Sequence, residues 1–300
     1  MKYRHLALAL LVTMIWGSNF SVIKWSLTVA DPFLLAGLRF LLCAIPAIFF
    51  VRRPQVAWTY LLAYGLLFGS FLWGLCNLGI ATGLSAGLAS LIIQSAVFFS
   101  LGLSAWLYRE KLHRFQWQGS CMAGAGLCMI IFVSDGTVTF SGIILVMAGA
   151  LCWALSNFVL KESRTKELLG FLVWSCLFAP IPLLLMSWLS HDMFFLKAQF
   201  RAMTPSFWLG LFYQVYIVTL FGYTAWNFLI RQYSVSRVMP LSLLIPVFGL
   251  AVSALFFSEP IGYLKLFASA LILSGLICNL FGERWWAAWQ EKKRLQKQAV

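Results

Sequence analysis

The chain has 300 residues, of which 62% are hydrophobic and 10% charged, and its formal net charge is +13. A soluble domain is usually about 45–50% apolar and about 25% charged. The composition therefore excludes an ordinary soluble protein, and its high hydrophobicity also excludes a disordered one. Because a membrane-spanning helix takes about 20 apolar residues, we predict an all-α membrane protein with roughly ten spans.

Apolar runs separated by turn or charge clusters place these spans along the chain. The runs are too long for barrel strands and lack their alternating polarity, so we interpret them as helices. The first run also resembles a signal peptide, but it is long, contains Lys24 and is followed directly by further apolar runs. The predicted spans are 6–28, 33–51, 58–80, 84–107, 115–133, 141–160, 168–189, 206–229, 237–257 and 261–281.

The basic residues predict the orientation of the chain in the membrane. If the N-terminus is cytoplasmic, the inner segments hold 17 Lys and Arg residues and the outer segments hold 3. This bias predicts that both termini are cytoplasmic and that the number of spans is even. The inner charges are spread over six short segments rather than one stripe, so we expect no nucleic-acid partner.

The C-terminal segment 284–300 combines three Trp residues with a basic cluster. Aromatic and basic residues of this kind anchor a helix end at the surface of an anionic leaflet, so we expect membrane lipid as a partner here. A regulatory or partner-binding tail is the alternative.

Two halves of the sequence resemble each other weakly. In each half an aromatic residue and an Asn four positions later precede a Glu, with Asn-to-Glu spacings of 33 and 32 residues. The matched residues are Trp73, Asn77 and Glu110 in the first half, and Tyr223, Asn227 and Glu259 in the second.

The match predicts two repeats, 1–136 and 137–283, of five spans each. An odd number of spans places the second repeat in the membrane with the opposite orientation. Inverted repeats are typical of transporters, in which the substrate site lies between the repeats near the midplane.

Several motifs resemble those of the EamA-type family within the drug/metabolite transporter superfamily. They are Trp16-Gly17-x-Asn19-Phe20, the stretches 36–40 and 240–246, and the two Glu-x-Leu/Ile…Gly tails. The stretches 87–91 and 281–285 are similar to those of the branch that contains bacterial cysteine/O-acetylserine exporters. The resemblance covers nearly the whole chain. It implies ten helices in two inverted repeats around a central cavity, and export of amino acids or related metabolites across a bacterial inner membrane.

No residue pattern indicates catalysis. No Asp or Glu lies in the middle of a predicted span, and the three His residues are peripheral. The sequence contains no HExxH, GxSxG or P-loop motif and no Cys/His cluster with metal-ligand spacing. We therefore predict a protein that is not an enzyme, with no catalytic or metal-binding residues and no cofactor.

Lys24 and Arg39 are charged residues within the first and second predicted spans. Charges are costly in hydrocarbon, so each is a candidate site residue. The two lie at similar depths in consecutive helices, where together they could hold a substrate carboxylate. The alternative is that both extend towards the outer surface and pair with Asp31.

Polar and aromatic residues recur at helical spacing in six of the spans. They line either a wet cavity or helix-packing contacts, because lipid offers them no partners. The predicted substrate-binding residues are Trp16, Asn19, Lys24, Arg39, Trp73, Asn77, Gln94, Trp153, Asn157, Tyr213, Tyr223, Asn227 and Ser242. The predicted gating residues are Gly17, Pro246 and Gly249.

The function hypothesis is a secondary efflux carrier for small amino acids or related metabolites that works by alternating access. Uptake or exchange of an anionic metabolite and a non-transporting membrane scaffold are the alternatives. Small residues spaced four apart in spans 115–133 and 261–281 predict helix packing or a homodimer contact.

Overall fold

The computed structural model of the chain describes residues 1–107, 109, 113–133, 135–233, 238–260 and 262–298. Within these ranges the regular structure is helical, and no strand occurs. Eight helical segments are long and apolar enough to cross a membrane. The prediction of an all-α, multi-pass membrane protein is therefore confirmed.

The helices are often short because several spans are broken. In chain order they are α1 Tyr3–Ser26, α2 Pro32–Ala44, α3 Trp58–Tyr64, α4 Trp73–Ala81, α5 Ala86–Ile92, α6 Ala96–Leu107, α7 Arg114–Ile130, α8 Phe140–Ser163, α9 Leu168–Ser175, α10 Pro180–Ser190, α11 Met193–Ala202, α12 Pro205–Phe212, α13 Gly222–Gln232, α14 Leu244–Phe257 and α15 Tyr263–Gln298.

Eight predicted spans coincide with the eight long helical segments. The predicted span 237–257 is instead a shorter apolar helix, Leu241–Phe257, and the predicted span 115–133 is the 17-residue helix α7. The number ten accordingly stays a prediction. Glu110, which the comparison of the two halves used, lies outside the described residues.

Two spans contain a π-helical segment at corresponding positions. Gly65–Leu72 joins α3 to α4 directly before Trp73, and Tyr213–Phe221 joins α12 to α13 two residues before Tyr223. A π-helical turn changes which side of the helix the following residues face, and such turns are frequent at functional sites. Trp73 and Tyr223 are the aromatic residues that matched between the two halves.

The structure divides into two compact units, and the first contains residues 1–96 and 134–260. In it, α1 packs against α14, α5 and α13. A Cβ atom on Gly17 would lie 2.6 Å from the carbonyl oxygen of Ile245 and 2.8 Å from the backbone nitrogen of Gly249. Any larger side chain at position 17 would therefore force α1 away from α14.

The second unit contains residues 97–133 and 261–300, and in it α7 packs along α15. A Cβ atom on Gly119 would lie 2.5 Å from the carbonyl oxygen of Gly275, so small residues allow the two backbones to approach. Helix packing, one of the two predicted roles, is thus observed for this face. The units do not coincide with the predicted repeats 1–136 and 137–283, and those boundaries stay a prediction.

Residues 284–298 of the predicted tail 284–300 continue the last span as part of helix α15. Near the start of this segment the Trp286 ring lies 4.8 Å from that of Trp289 and 6.3 Å from that of Phe115, and the Arg114 guanidinium lies 4.0 Å from the Trp286 ring. This aromatic and basic cluster has the composition expected at a membrane interface.

Candidate functional site

Arg39 lies in α2, a helix that begins at Pro32 with Asp31 as its N-cap. The Arg39 side chain is 2% exposed. Its Nη2 donates a hydrogen bond to Oγ1 of Thr219 at 3.0 Å, and its guanidinium lies 4.3 Å from the Trp73 ring centroid. The side chain thus points into the protein, and the alternative in which Arg39 extends outward to pair with Asp31 is wrong.

The charge of Arg39 has no counter-ion within the described part of the chain. The side chains within electrostatic range of its guanidinium are those of Tyr223, Cys43, Cys76 and Cys176, and none of them is a carboxylate. Nε of Arg39 is also buried without a hydrogen-bond partner. Burial of an unpaired ion costs roughly several kcal/mol, so this guanidinium is a candidate binding site for an anion that the chain does not supply.

Other buried polar atoms in the same unit also have no hydrogen-bond partner. Nε1 of Trp73 is an unused donor, and Oδ1 of Asn77 and Oε1 of Gln214 are unused acceptors. The amide nitrogen of Asn77 donates to the carbonyl oxygen of Pro32 at 3.2 Å, and that of Gln214 donates to Oγ of Ser26 at 3.2 Å. The amide oxygens therefore remain free, as ammonium recognition requires.

Both side-chain polar atoms of Asn19 are buried and unpaired as well. Asn19 precedes Phe20, whose ring lies 6.1 Å from that of Trp73. Asn77 follows Trp73 by one helical turn in α4. The unpaired donors suit a carboxylate and the unpaired acceptors suit an ammonium group, a combination that matches a zwitterion.

Aromatic rings connect Arg39 to the first and eighth spans. The Tyr223 ring lies 5.2 Å from that of Trp16 and 5.9 Å from that of Phe68, and the Tyr223 side chain is within electrostatic range of Arg39. Nε1 of Trp16 donates to the carbonyl oxygen of Val218 at 3.0 Å. Trp16, Arg39, Trp73 and Tyr223, all predicted from the sequence, are therefore brought together.

Three buried thiols lie within electrostatic range of the Arg39 guanidinium. They belong to Cys43, one turn after Arg39 in α2, and to Cys76 and Cys176. Sγ of Cys176 lies 3.7 Å from Sγ of Cys43. The sequence contains no signal for this grouping, because the three residues belong to three separate spans.

Lys24 does not share the surroundings of Arg39. Its Nζ lies 2.5 Å from Oε1 of Glu259. Asp31 instead accepts hydrogen bonds from the backbone at the start of α2 and from Oγ of Ser187 at 2.6 Å. The expected alternative, a pair between Lys24 and Asp31, is thus wrong, because Asp31 caps its own helix.

The other predicted residues have different surroundings. Tyr213 bonds to Ser18 at 2.7 Å and to the carbonyl oxygen of Ile15 at 3.2 Å, which joins α1 to the second π-helical segment. Gln94 is buried in a 3₁₀ turn, Ile93–Ser95, and Asn157 is exposed on α8. Trp153, Asn227 and Ser242 are half-buried, and Gly17, Pro246 and Gly249 are buried.

Sequence reasoning missed Thr219 and Gln214 as neighbours of the site. Both are polar residues in an otherwise apolar run, which was the available signal. They lie in the π-helical segment Tyr213–Phe221, where the usual 3.6-residue periodicity does not assign residues to faces.

A multi-pass helical protein with a buried cation and unpaired polar groups has the features of a carrier for small polar molecules. The sequence profile of the EamA-like transporter family matches residues 4–132 and 140–281. The chain therefore belongs to the EamA-like transporter family, as the sequence motifs indicated, and is a transporter rather than an enzyme.

Two transporters of known description are similar in sequence to this chain over nearly its full length. A probable amino-acid metabolite efflux pump of Salmonella typhimurium is 41% identical over 285 residues, which cover 92% of this chain and 95% of that protein. A protein of Escherichia coli with the same description is 38% identical over 286 residues, with coverage of 93% and 95%. One crystal structure shares the fold with a TM-score of 0.60 at 18% identity and covers 93% of this chain and 96% of its own.

Proposed function

We propose that this protein exports small amino acids or related metabolites, similar to cysteine or O-acetylserine, across a bacterial inner membrane. The observation that carries the proposal is Arg39, a buried guanidinium with an unpaired Nε and no carboxylate partner in the described part of the chain. The descriptions of the Salmonella and Escherichia relatives support the substrate class and the direction.

The surroundings of Arg39 leave part of the guanidinium available to a ligand. Thr219 occupies Nη2 and the Trp73 ring covers one face, while Nε remains unbonded. A substrate carboxylate can then bind along the guanidinium edge. Away from water this attraction is stronger than on the surface. The free amide oxygens of Asn77 and Gln214 are candidate acceptors for the α-ammonium group.

Transport would proceed by alternating access between two inverted repeats, 1–136 and 137–283. The two profile matches, 4–132 and 140–281, and the corresponding π-helical segments support the repeat. Close packing of Gly17 against Gly249 joins α1 to α14 and so joins the two halves. Pro246 lies in the first turn of α14, next to this contact, and is the proposed third gating residue. The 17 to 3 distribution of basic residues supports cytoplasmic termini.

Counterflow in proteoliposomes tests the proposal directly. Purified protein is loaded with unlabelled cysteine or O-acetylserine, and entry of the labelled compound is followed with and without a pH gradient. We expect counterflow in the parent protein, and an effect of the gradient would identify proton coupling. Absence of counterflow across a panel of amino acids would contradict export and favour the scaffold, whose function should then be lost on truncation after Gly282.

The Arg39→Gln variant tests the carboxylate site. A hydrogen bond to a charged group contributes about 1.5–3 kcal/mol, so we expect carboxylate substrates to lose at least about tenfold in counterflow affinity. Neutral analogues such as the amide or the decarboxylated amine should change by less than about twofold. Arg53→Gln is the matched control, since Arg53 is exposed and lies 3.9 Å from the Trp58 ring. Equal losses for acids and neutral analogues would contradict this assignment.

Uptake or exchange of an anionic metabolite would use the same Arg39. The pairing of Lys24 with Glu259 leaves Arg39 as the better candidate for anion binding in this conformation. The direction of net flux separates the two functions: expression should lower cellular accumulation of the labelled amino acid if the protein exports it and raise accumulation if it imports it.

A further inference from the structure

Three hydrogen-bond donors from three helices converge on the carboxylate of Glu259. Lys24, near the C-terminal end of α1, binds Oε1 at 2.5 Å. Ser253, in the last part of α14, donates to Oε2 at 2.6 Å, and Ser85, the N-cap of α5, donates to the same oxygen. The Lys24 ammonium also lies 4.6 Å from the Phe257 ring centroid. We refer to Lys24, Ser85, Ser253 and Glu259 as the carboxylate cluster.

The cluster differs from the other carboxylate contacts of the protein. Asp31 and Glu259 are the only two carboxylates in the described ranges that are not exposed. Asp31 caps its own helix through two backbone nitrogens and also contacts Ser187 and His191, whereas every hydrogen bond of Glu259 comes from a side chain, and these belong to three different helices. The side-chain hydrogen bonds of Glu259 can therefore break without loss of any backbone hydrogen bond within a helix. A contact that must form and break during transport needs this property.

The same three helices are in close contact along their length. A Cβ atom on Gly249 would lie 2.7 Å from Cβ of Ser90, and one on Gly87 would lie 3.0 Å from Cα of Leu250. These contacts join α5 to α14, and Gly17 joins α1 to α14. No space for a substrate remains between backbones that approach so closely. The cluster thus lies at the end of α1, α5 and α14, where these helices are closely packed against one another.

The topology places all members of the cluster at one end of the helix group. The end of α1, the start of α5 and the end of α14 lie on the side of the membrane opposite to the N-terminus, if α1 crosses once and successive spans alternate. Lys24 and Ser85 belong to the predicted first repeat, and Ser253 and Glu259 to the second. A gate must connect the two repeats at one face of the membrane, and the bonds of the cluster lie at such a position.

We propose that the carboxylate cluster is the outer gate of the transporter, with Glu259 as the latch that holds α1 and α5 against α14. The proposal rests on the export function and adds the residues that must separate for the substrate to leave. In the closed state Glu259 is 8% exposed and its charge is neutralised by Lys24. On opening, water replaces the three donors, so the equilibrium between the two states depends on the strength of these bonds.

Accessibility of a buried position below the cluster tests the gate without a substrate. Ser90 is fully buried against Gly249. In a cysteine-free background, Ser90→Cys is exposed to a membrane-impermeant maleimide added from the outer side of cells. Glu259→Gln and Lys24→Met should each raise the labelling rate at least about threefold, because the latch then binds more weakly.

Two matched variants control for the chemistry of the substitutions. Glu167→Gln and Lys197→Met alter exposed residues and should leave labelling at the parental rate. The double variant Lys24→Met/Glu259→Gln should label no faster than the faster single variant, because the two residues act as one unit. Parental labelling in Glu259→Gln, or effects that simply multiply in the double variant, would overturn the proposal.

A second variant and a second measurement test the gate in case Glu259→Gln does not fold. Ser85→Ala keeps the ion pair and removes one donor to Glu259 together with the N-cap of α5, so its labelling should fall between those of the parent and Glu259→Gln. In the native cysteine background, amide hydrogen exchange within 244–257 should be faster in Ser85→Ala than in the parent. Unchanged exchange together with unchanged labelling would overturn the gate.

The two measurements also separate the gate from the export function. If labelling depends on Glu259 while counterflow is absent, the gate proposal holds and the export proposal fails. If counterflow is active while labelling does not depend on Glu259, the export proposal holds and the gate proposal fails.

Discussion

The guanidinium of Arg39 lies 4.3 Å from the ring centroid of Trp73, and no carboxylate in the described ranges pairs with it. A desolvated cation–π contact contributes about 2 kcal/mol. Burial of the charge costs more, roughly several kcal/mol. We therefore expect Arg39 to lower the stability of the ligand-free protein. Such a cost is typical of a residue kept for function.

We predict that Arg39→Gln leaves the melting temperature of the ligand-free protein unchanged or raises it, because it removes a buried, unpaired charge. The substrate-dependent rise in Tm should disappear, whereas a ligand at about 100 times its Kd stabilises the parent by about 2.7 kcal/mol. Thermal unfolding in detergent with and without the amino acid measures both effects. A Tm lowered by several degrees with the substrate effect retained would show that Arg39 is structural.

Two substitutions at Trp73 separate its ring from its N–H group. Trp73→Phe keeps an aromatic face for Arg39 and removes a donor with no partner in the protein, so the substrate Kd should rise about three- to tenfold if that donor binds the ligand. Trp73→Leu also removes the cation–π contact, and the Kd should rise at least about tenfold further. Calorimetric titration measures these values, with Trp58→Phe as the control. Equal effects of Phe and Leu would contradict a role for the ring.

Gly17→Ala should destabilise the protein and impair transport. The added Cβ would lie 2.6 Å from the carbonyl oxygen of Ile245 and 2.7 Å from Cβ of Phe248, and overpacking of this kind costs about 1–3 kcal/mol. Gly102→Ala is the matched control: Gly102 lies within α6 and its Cβ would meet nothing within 4 Å. It should be neutral or stabilise the helix by about 0.5–1 kcal/mol. Thermal unfolding compares the two, and equal effects would contradict close packing of α1 on α14.

The pH dependence of stability should reveal the carboxylate cluster. Burial raises the pKa of Glu259, but hydrogen bonds from Lys24, Ser253 and Ser85 lower it more, so its pKa lies below the ordinary value of 4.5. Folding thus favours the ionised form, and the resulting stabilisation is complete above the ordinary value and is lost as pH falls through the lowered pKa. The Tm difference between the parent and Glu259→Gln should stay constant from neutral pH to about 5.5 and shrink below about 4.5.

A control separates this effect from general acid denaturation. Glu167 is exposed, so the Tm difference between the parent and Glu167→Gln should be small at every pH. A parent–Glu259→Gln difference that already shrinks between pH 8 and 6 would contradict a lowered pKa for Glu259.

Much of the fold could be predicted from the sequence because it depends on local composition. Long apolar runs must form helices in lipid, where every backbone group needs a partner within its own segment. Eight predicted spans accordingly coincide with long helical segments. The exceptions are the shorter helices Leu241–Phe257 and α7, and α11, which lies between two predicted spans. The same reasoning singled out Arg39 and Lys24, because a charge within an apolar run is unusual whatever its partners are.

The tertiary structure alone decided what those two charges do. Lys24 binds Glu259, which lies 235 residues away along the chain, and Arg39 binds Thr219, 180 residues away. Helical periodicity assigns residues to faces within one helix, but it does not say which helices meet. The π-helical segments also rotate Trp73 and Tyr223 relative to a regular helix. A charge in an apolar span is therefore visible in the sequence. Its neutralisation depends on packing between spans that are distant in the sequence. That packing pairs Lys24 with Glu259 and leaves Arg39 without a carboxylate partner in the described ranges.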